Sequence, residues 1–166
     1  MPRTRQLKLS TLDAVEEIAR RVPGYRGYQD LSQRREDDRR FRHGVSEHLN
    51  GEAHRLERIE SHQLREDYSD LLEEVDAGAR KLEFLAESIA MPSTMNGKMI
   101  SDDASEVVAS LDRQIIDGMD RLHRVVQELE KAYLHDERFE MNLAELRGLT
   151  EGIADLIEQR NVALTG

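Results

Sequence analysis

Apolar residues recur at alternating steps of three and four along two long stretches of the chain. One series runs from Ala104 to Ile157 and the other from Leu64 to Ile89. A period of about 3.5 residues keeps one stripe of a helix facing a partner helix, as in coiled coils. The pattern therefore predicts an all-α protein built from long helices.

The chain is expected to reverse direction between residues 91 and 101. Met91-Pro92 predicts the end of one helix, because proline disfavours helical geometry in the residue before it. Ser101 then predicts the N-cap of the next helix. Folding the two stripes onto each other predicts a long antiparallel hairpin over residues 29–166.

Two glycines support this alignment of the stripes. When the paired residue numbers sum to 193, Gly78 lies opposite Ile115 and Val75 lies opposite Gly118. A large residue facing a glycine is the kind of interdigitation that dense packing requires. The same alignment predicts that Leu71 faces Leu122.

Three places along the helices are expected to be irregular. Gly44 and Asn50-Gly51 are candidate breaks in the first arm, since glycine is a poor helix former. The stripe changes register between residues 56 and 68, which predicts a stutter. In the second arm a bend is expected near His135-Asp136.

Residues 1–28 are predicted to form a separate N-terminal unit. A short amphipathic helix is expected over residues 11–22, and Pro23-Gly24 should end it. Further apolar residues lie outside the two stripes and widen the apolar faces, which predicts a helical bundle assembled by self-association. These residues are Leu72, Phe84, Val107, Ile116, Met119, Val126, Tyr133 and Leu134.

The composition narrows the classes of protein. The 166 residues contain no cysteine, so disulfides and cysteine metal sites are excluded. No apolar run is long enough to span a bilayer, and the first residues do not resemble a secretory signal, so a cytoplasmic location is expected. Residues 1–43 hold 11 Lys+Arg and 7 Asp+Glu, whereas the remainder holds 13 and 27. This acidic body disfavours nucleic acid as a partner.

Catalytic and cofactor motifs are absent from the sequence, so neither an enzyme activity nor a cofactor is predicted. Histidine–carboxylate pairs four residues apart, such as His48 with Glu52, suggest a metal-binding bundle as one alternative. The Glu-x-x-His motif of di-iron bundles does not occur, however. Ordinary helical side-chain pairs are therefore the favoured interpretation of these histidines.

The residues most expected to contact a partner lie between positions 25 and 42. Tyrosine is favoured at interfaces, although rings in a connection also serve to anchor it. Arginines on one helical face could follow a phosphate backbone, but neighbouring carboxylates favour a solvated, salt-bridged face. The predicted partner-binding residues are Tyr25, Arg26, Tyr28, Arg35, Arg39 and Arg42.

The segment Val22-Pro23-Gly24-Tyr25-Arg26-Gly27-Tyr28, with the arginine-rich stretch after it, resembles the start of an uncharacterised family of bacterial helical proteins. That family shares a Pro-Gly-Tyr-x-Gly-Tyr element, and the resemblance implies a helical pair downstream but no activity. A short helix before a long hairpin is also similar in shape to membrane-remodelling scaffolds of the phage-shock type.

These observations together predict a non-catalytic helical scaffold or adaptor. Its expected partners are further copies of itself and an unidentified protein. The alternatives are a peripheral membrane or stress-response component that uses the N-terminal segment, and the metal-binding bundle.

Overall fold

The computed structural model describes residues 13–62, 69–91, 100–132 and 137–165, and all regular elements in these ranges are helical. Helix α1 covers residues 13–21. A 3₁₀ turn at Leu31–Gln33 leads into four long helices, α2 (Arg34–His62), α3 (Ser69–Ala90), α4 (Asp102–Lys131) and α5 (Glu137–Thr165). The prediction of an all-α helical bundle is confirmed.

The predicted helix ends are also confirmed. Helix α3 ends at Ala90, directly before Met91-Pro92. Ser101 is the N-cap of α4, and its side chain accepts a hydrogen bond from the backbone N–H of Ala104 at 3.1 Å. Helix α1 ends one residue before Val22, and Pro23-Gly24 follows. Local capping chemistry therefore sets these boundaries.

Helices α2 and α3 pack along each other as an antiparallel hairpin. The Ser46 hydroxyl donates to the carbonyl of Ala86 at 3.0 Å. Arg42, which comes earlier in α2, donates to the carbonyl of Ala90, which comes later in α3. The residue numbers therefore rise along one helix as they fall along the other.

Helices α4 and α5 form a second antiparallel hairpin. Asp112 of α4 pairs with Arg160 of α5. Farther along α4, a side chain at Gly118 would meet Ile153, which comes earlier in α5. The contacting residue numbers of this hairpin therefore sum to about 272.

The two hairpins lie side by side, with α2 beside α4 and α3 beside α5. Arg34 contacts Asp102, and Arg55 contacts His123, both across a separation of 68 residues. The constant separation means that α2 and α4 run parallel. Within the described residues, α3 and α4 therefore occupy opposite corners of the four-helix arrangement.

The predicted hairpin of α3 on α4 is wrong. A Cβ atom on Gly78 would lie 3.0 Å from Leu146 of α5, not against Ile115. A Cβ atom on Gly118 would lie 3.2 Å from Ile153. The segment 29–166 thus contains two hairpins. The prediction failed because an apolar stripe indicates that a helix has a partner without specifying which helix it is.

Of the predicted irregularities, only the breaks in the first arm lie wholly within the described residues, and this prediction is wrong. Helix α2 continues without interruption through Gly44 and Asn50-Gly51. The change of register between residues 56 and 68 extends over residues 63–68, which lie outside the described residues, so the stutter stays a prediction. His135 and Asp136 lie outside the described residues, in the interval between α4 and α5.

Helix α1 lies over the groove between α2 and α4. A Cβ atom on Gly44 of α2 would lie 3.1 Å from Val22, so the absence of a side chain at Gly44 admits this contact. Arg21 pairs with Asp120 of α4 at 2.7 Å, and Arg113 of α4 pairs with Glu17 at 3.0 Å. The first helix is therefore part of the bundle.

The core accounts for three of the eight apolar residues that suggested self-association. Ile116, Met119 and Val126 are buried inside this one chain. Burial of a large aliphatic side chain stabilises a protein by about 1.5–3 kcal/mol. Val107 and Phe84 remain exposed, whereas Tyr133 and Leu134 lie outside the described residues.

Candidate functional site

The N-terminal lid, residues 13–28, lies over α2 and α4 and depends on an unusual backbone. Gly24, Gly27 and Tyr28 have φ angles of 88°, 68° and 63°. Positive φ is accessible to glycine but costs free energy for tyrosine. A Cβ atom on Gly27 would lie 2.5 Å from the Val15 side chain, so the turn also needs the missing side chain. This backbone directs both tyrosines of the lid inward.

The two tyrosine hydroxyls of the lid converge on one carboxylate. Tyr25 and Tyr28 donate to Oδ2 of Asp112 at 3.0 Å and 2.6 Å. Their rings meet edge to face, with centroids 5.7 Å apart. Asp112 lies in the middle of α4 and is fully buried, so the lid is attached to the interior of the bundle.

Arg160 of α5 completes this buried cluster and is itself 0% exposed. Its Nε donates to Oδ1 of Asp112 at 2.6 Å, and its Nη2 donates to the Tyr28 hydroxyl at 2.8 Å. Its Nη1 lies 2.7 Å from Oδ1 of Asp38, an ion pair whose atoms are not aligned for a hydrogen bond. The guanidinium also lies 4.8 Å from the centre of the Phe41 ring. One side chain therefore contacts the lid, α2 and α4.

Burial controls the protonation of this cluster. Burial raises the pKa of Asp112, although the Arg160 guanidinium and three hydrogen bonds oppose that rise. Burial, together with the Asp112 charge, raises the pKa of both Tyr25 and Tyr28, so the hydroxyls keep their protons and act as donors. Burial acts to lower the pKa of Arg160, but the charge of Asp112 and its other partners raise it overall.

The cluster is closed to solvent, which limits the chemistry that it can do. Tyr25, Tyr28, Asp112 and Arg160 are each at most 3% exposed. A substrate could not reach them unless the lid opened. The cluster instead fixes the positions of α4, α5 and the lid relative to one another. Any other alignment would break the buried pair and leave an uncompensated charge in the core, which is strongly destabilising.

Arg34 joins the lid to the connection that precedes α4. Its Nε donates to the carbonyl of Tyr28 at 2.8 Å, and its Nη1 donates to the carbonyl of Ile100 at 2.7 Å. Its Nη2 pairs with Asp102 at 2.6 Å. Asp37 holds the lid from the same helix by accepting from the backbone N–H of Tyr28 at 3.0 Å. Burial raises the pKa of Asp37, partly offset by its backbone hydrogen bonds.

The six predicted partner-binding residues do not form one surface. Tyr25 and Tyr28 lie in the core, as the anchoring interpretation of these rings expected. Arg42 is largely buried, where it pairs with Asp38 at 3.0 Å and donates to the last carbonyl of α3.

The other three predicted residues are exposed. They are Arg26, Arg35 and Arg39. Arg39 pairs with Glu36 one turn earlier, in agreement with a solvated, salt-bridged face. Contact between these arginines and a partner stays a prediction.

Asp112 and Arg160 were not predicted as a site, although the sequence contains a signal. Arg160 follows Ile153 and Ile157 at the spacing of the apolar stripe. A charge at a stripe position indicates a buried pair, but it does not identify the partner. Asp112 adjoins the stripe at Leu111, and only the packing of α4 on α5 brings the two charges together.

A polar groove lies between α2 and α4, beyond the end of α1. It has a volume of about 600 Å³, and its lining includes His48, Glu52, Arg55 and His123. Oε1 of Glu52 lies 2.5 Å from Nδ1 of His123, and Arg55 pairs with both Glu52 and Glu130. In the described part of the chain, no group of three or more His, Asp or Glu side chains is arranged to hold a metal ion. Metal binding stays an untested alternative.

Two further cavities lie end to end on the outer surface between α4 and α5, and we call them together the α4–α5 groove. One end has a volume of about 650 Å³ and is lined by Val107, Leu111 and Val162, among others. Val107 and Val162 are 51% and 62% exposed. The other end includes Leu149 and Leu156, which are partly buried. No described helix of this chain covers the groove, in contrast to α1 over α2 and α4.

Charged residues of opposite sign line the two ends of the α4–α5 groove. Asp155 and Glu158 lie at the end with Val107 and Val162. Arg121 lies toward the other end, beside Gly148 and Gly152, where added side chains would meet no atom within 4 Å. Asp117 also lines this end, but it pairs with Arg113. Arg121 is therefore the remaining charge at this end, and the other end is acidic.

The apolar face of α1 is used inside the molecule. Ile18 and Val22 are each 1% exposed. None of the described helices is long and apolar enough to cross a membrane. Contact of the N-terminal segment with lipid stays a prediction.

Comparison with known proteins gives no relative from which to infer a function. The chain matches no protein-family model, no curated protein and no solved structure.

Proposed function

We propose that this protein is a non-catalytic helical scaffold or adaptor that binds another helical protein surface along the α4–α5 groove. The observation that supports the proposal is the apolar lining of this groove, which is exposed at Val107 and Val162 and continues to the partly buried Leu149 and Leu156. Exposed apolar surface that is continuous and bordered by polar residues marks interaction sites. An apolar groove between two helices accepts the apolar face of a further helix.

The arrangement of α1 supports the same type of ligand. Helix α1 fills the groove between α2 and α4 with Ile18 and Val22, and ion pairs from Glu17 and Arg21 border it. The α4–α5 groove has the same elements, an apolar floor and charged borders. A helix is therefore the ligand that fits it.

The buried cluster supports a scaffold over an enzyme. The strongest concentration of charged side chains, around Arg160 and Asp112, is enclosed and paired within the chain. A fully paired buried cluster makes the bundle rigid and fixes the register of its helices. Stiffness suits a protein that presents a preformed surface, because less conformational entropy is lost on binding.

Site-specific photo-crosslinking tests the proposal. A photoreactive amino acid at position 162 should form covalent adducts with polypeptide in the cells that make the protein. The same amino acid at Phe84 or Met91, which are 67% and 70% exposed, should form several-fold fewer. Equal yields at all three positions, or none at position 162, would contradict the proposal.

A filled groove provides the matched control. Gly152→Leu places a side chain into the α4–α5 groove and should abolish the adducts at position 162. Gly51→Leu adds the same side chain at a helical glycine that is also open, but that lies on α2. It should leave the adducts unchanged. The mass of each adduct identifies what occupies the groove.

A further inference from the structure

We infer that the occupant of the α4–α5 groove is a second copy of this chain, bound antiparallel so that Arg121 of each copy lies across from Asp155 and Glu158 of the other. This inference rests on the proposed function, since it names the partner for the same groove. It is carried by the distribution of charge along the groove.

The three charges are available for a partner. Arg121, Asp155 and Glu158 are all exposed. In the described part of the chain, none of them makes an ion pair or hydrogen bond within its own bundle. The adjacent Asp117 differs, since it pairs with Arg113. With respect to the described residues, the groove therefore has one uncompensated cation and two uncompensated anions along its length.

The spacing of these charges defines the orientation of the second copy. Gly118 of α4 faces Ile153 of α5, so Asp155 and Glu158 lie about one to two helical turns from the level of Arg121. A two-fold axis through the groove near Gly118 exchanges the basic and acidic ends. Each such dimer then forms the Arg121 contact twice, as an isologous interface requires.

Other orientations are disfavoured by charge. A parallel copy would place the acidic end of one groove beside the acidic end of the other. The chain also has a net charge of −10, so two copies repel each other at long range. Local complementarity at Arg121 is what compensates this repulsion in the antiparallel arrangement.

The test uses two charge-reversed variants, Arg121→Glu and Glu158→Arg, of the full chain. Each alone places like charges together at both symmetric contacts, so its dimer should dissociate at least about tenfold more readily than the parent dimer. An equimolar mixture of the two restores opposite charges at both contacts. Sedimentation equilibrium should therefore show a heterodimer that is tighter than either homodimer.

Several outcomes would overturn the inference. These are a parent chain that stays monomeric at all concentrations, variants that self-associate as well as the parent, and a mixture no tighter than its components. Far-UV circular dichroism and thermal melting confirm that each variant folds. Asp155→Arg replaces Glu158→Arg if the latter does not fold. A monomeric parent that still forms adducts with another protein at position 162 would remove this inference and retain the proposed function.

Discussion

Arg160 and Asp112 form a salt bridge of 2.6 Å between α5 and α4, and neither residue is exposed to solvent. Two unlike charges in such a position attract strongly, but both have lost their hydration. The lost hydration offsets much of the attraction, so the main effect of the pair is to fix how α4 and α5 are aligned. The two tyrosines of the lid take part in the same cluster, so the alignment of α4 and α5 and the position of the lid depend on each other.

Removal of one partner of this pair should cost more stability than removal of both. Arg160→Met leaves Asp112 buried without its cation, and we expect the free energy of unfolding to fall by about 3–5 kcal/mol. The double variant Arg160→Met with Asp112→Leu should recover part of that loss, because the hydroxyls of Tyr25 and Tyr28 then lack their buried acceptor. Urea denaturation of the single and double variants measures both values. Arg147→Met, at an exposed position, is the control and should change stability by less than about 0.5 kcal/mol.

The two lid tyrosines should differ in their contributions. The Tyr28 hydroxyl donates to Asp112 and accepts from Arg160, whereas the Tyr25 hydroxyl only donates to Asp112. Tyr28→Phe should therefore cost about 2–3 kcal/mol and Tyr25→Phe about 1 kcal/mol. Hydrogen exchange should also become faster in the lid in both variants. A larger loss for Tyr25→Phe would show that the hydroxyl contacts are not what holds the lid.

Local sequence signals predicted the helix ends but not the arrangement of the helices. Ser101 and Pro92 act on their own neighbours, so their effects can be recognised in the sequence alone. The partner of an apolar stripe depends on contacts between residues far apart in sequence. Gly78 fits beside Leu146 as well as it would have fitted beside Ile115, and sequence spacing does not distinguish these partners.

The candidate sites show the same limitation. The sequence predicts a role for Tyr25 and Tyr28, but whether they face a partner or the core depends on Asp112, 87 and 84 residues away. The α4–α5 groove could be anticipated only in part, from Val107, because the same set of apolar residues included Ile116 and Met119, which the chain buries itself. Burial of this kind is a property of the assembled bundle.

The raised pKa of Asp112 predicts a particular dependence of stability on pH. Because burial raises this pKa in the folded state, the folded protein binds the proton more tightly than the unfolded chain. The contribution of Asp112 to stability is therefore fully present below the ordinary aspartate pKa of about 4 and declines as pH rises through the raised pKa. The opposite sign would apply to a carboxyl with a lowered pKa.

Comparison with Asp112→Asn isolates this contribution. The free energy of unfolding of the parent minus that of the variant should decrease as pH rises from about 3 toward neutrality. Denaturant titrations at a series of pH values measure the difference, in which groups shared by the two proteins cancel. A difference that increases with pH would mean that Arg160 and the tyrosine hydroxyls outweigh the effect of burial.

Helical glycines should respond to alanine according to the space around them. Gly51 has no atom within 4 Å of the position that a Cβ would take, so Gly51→Ala should raise the free energy of unfolding by about 0.5–1 kcal/mol. Gly78 is different, since its added Cβ would lie only 3.0 Å from Cδ2 of Leu146. The gain in helix propensity at Gly78 should be cancelled or exceeded by the displacement of Leu146, which is 1% exposed and tightly packed. Parallel denaturation of the two variants makes the comparison, and an equal stabilisation at both sites would contradict the close packing of α3 against α5.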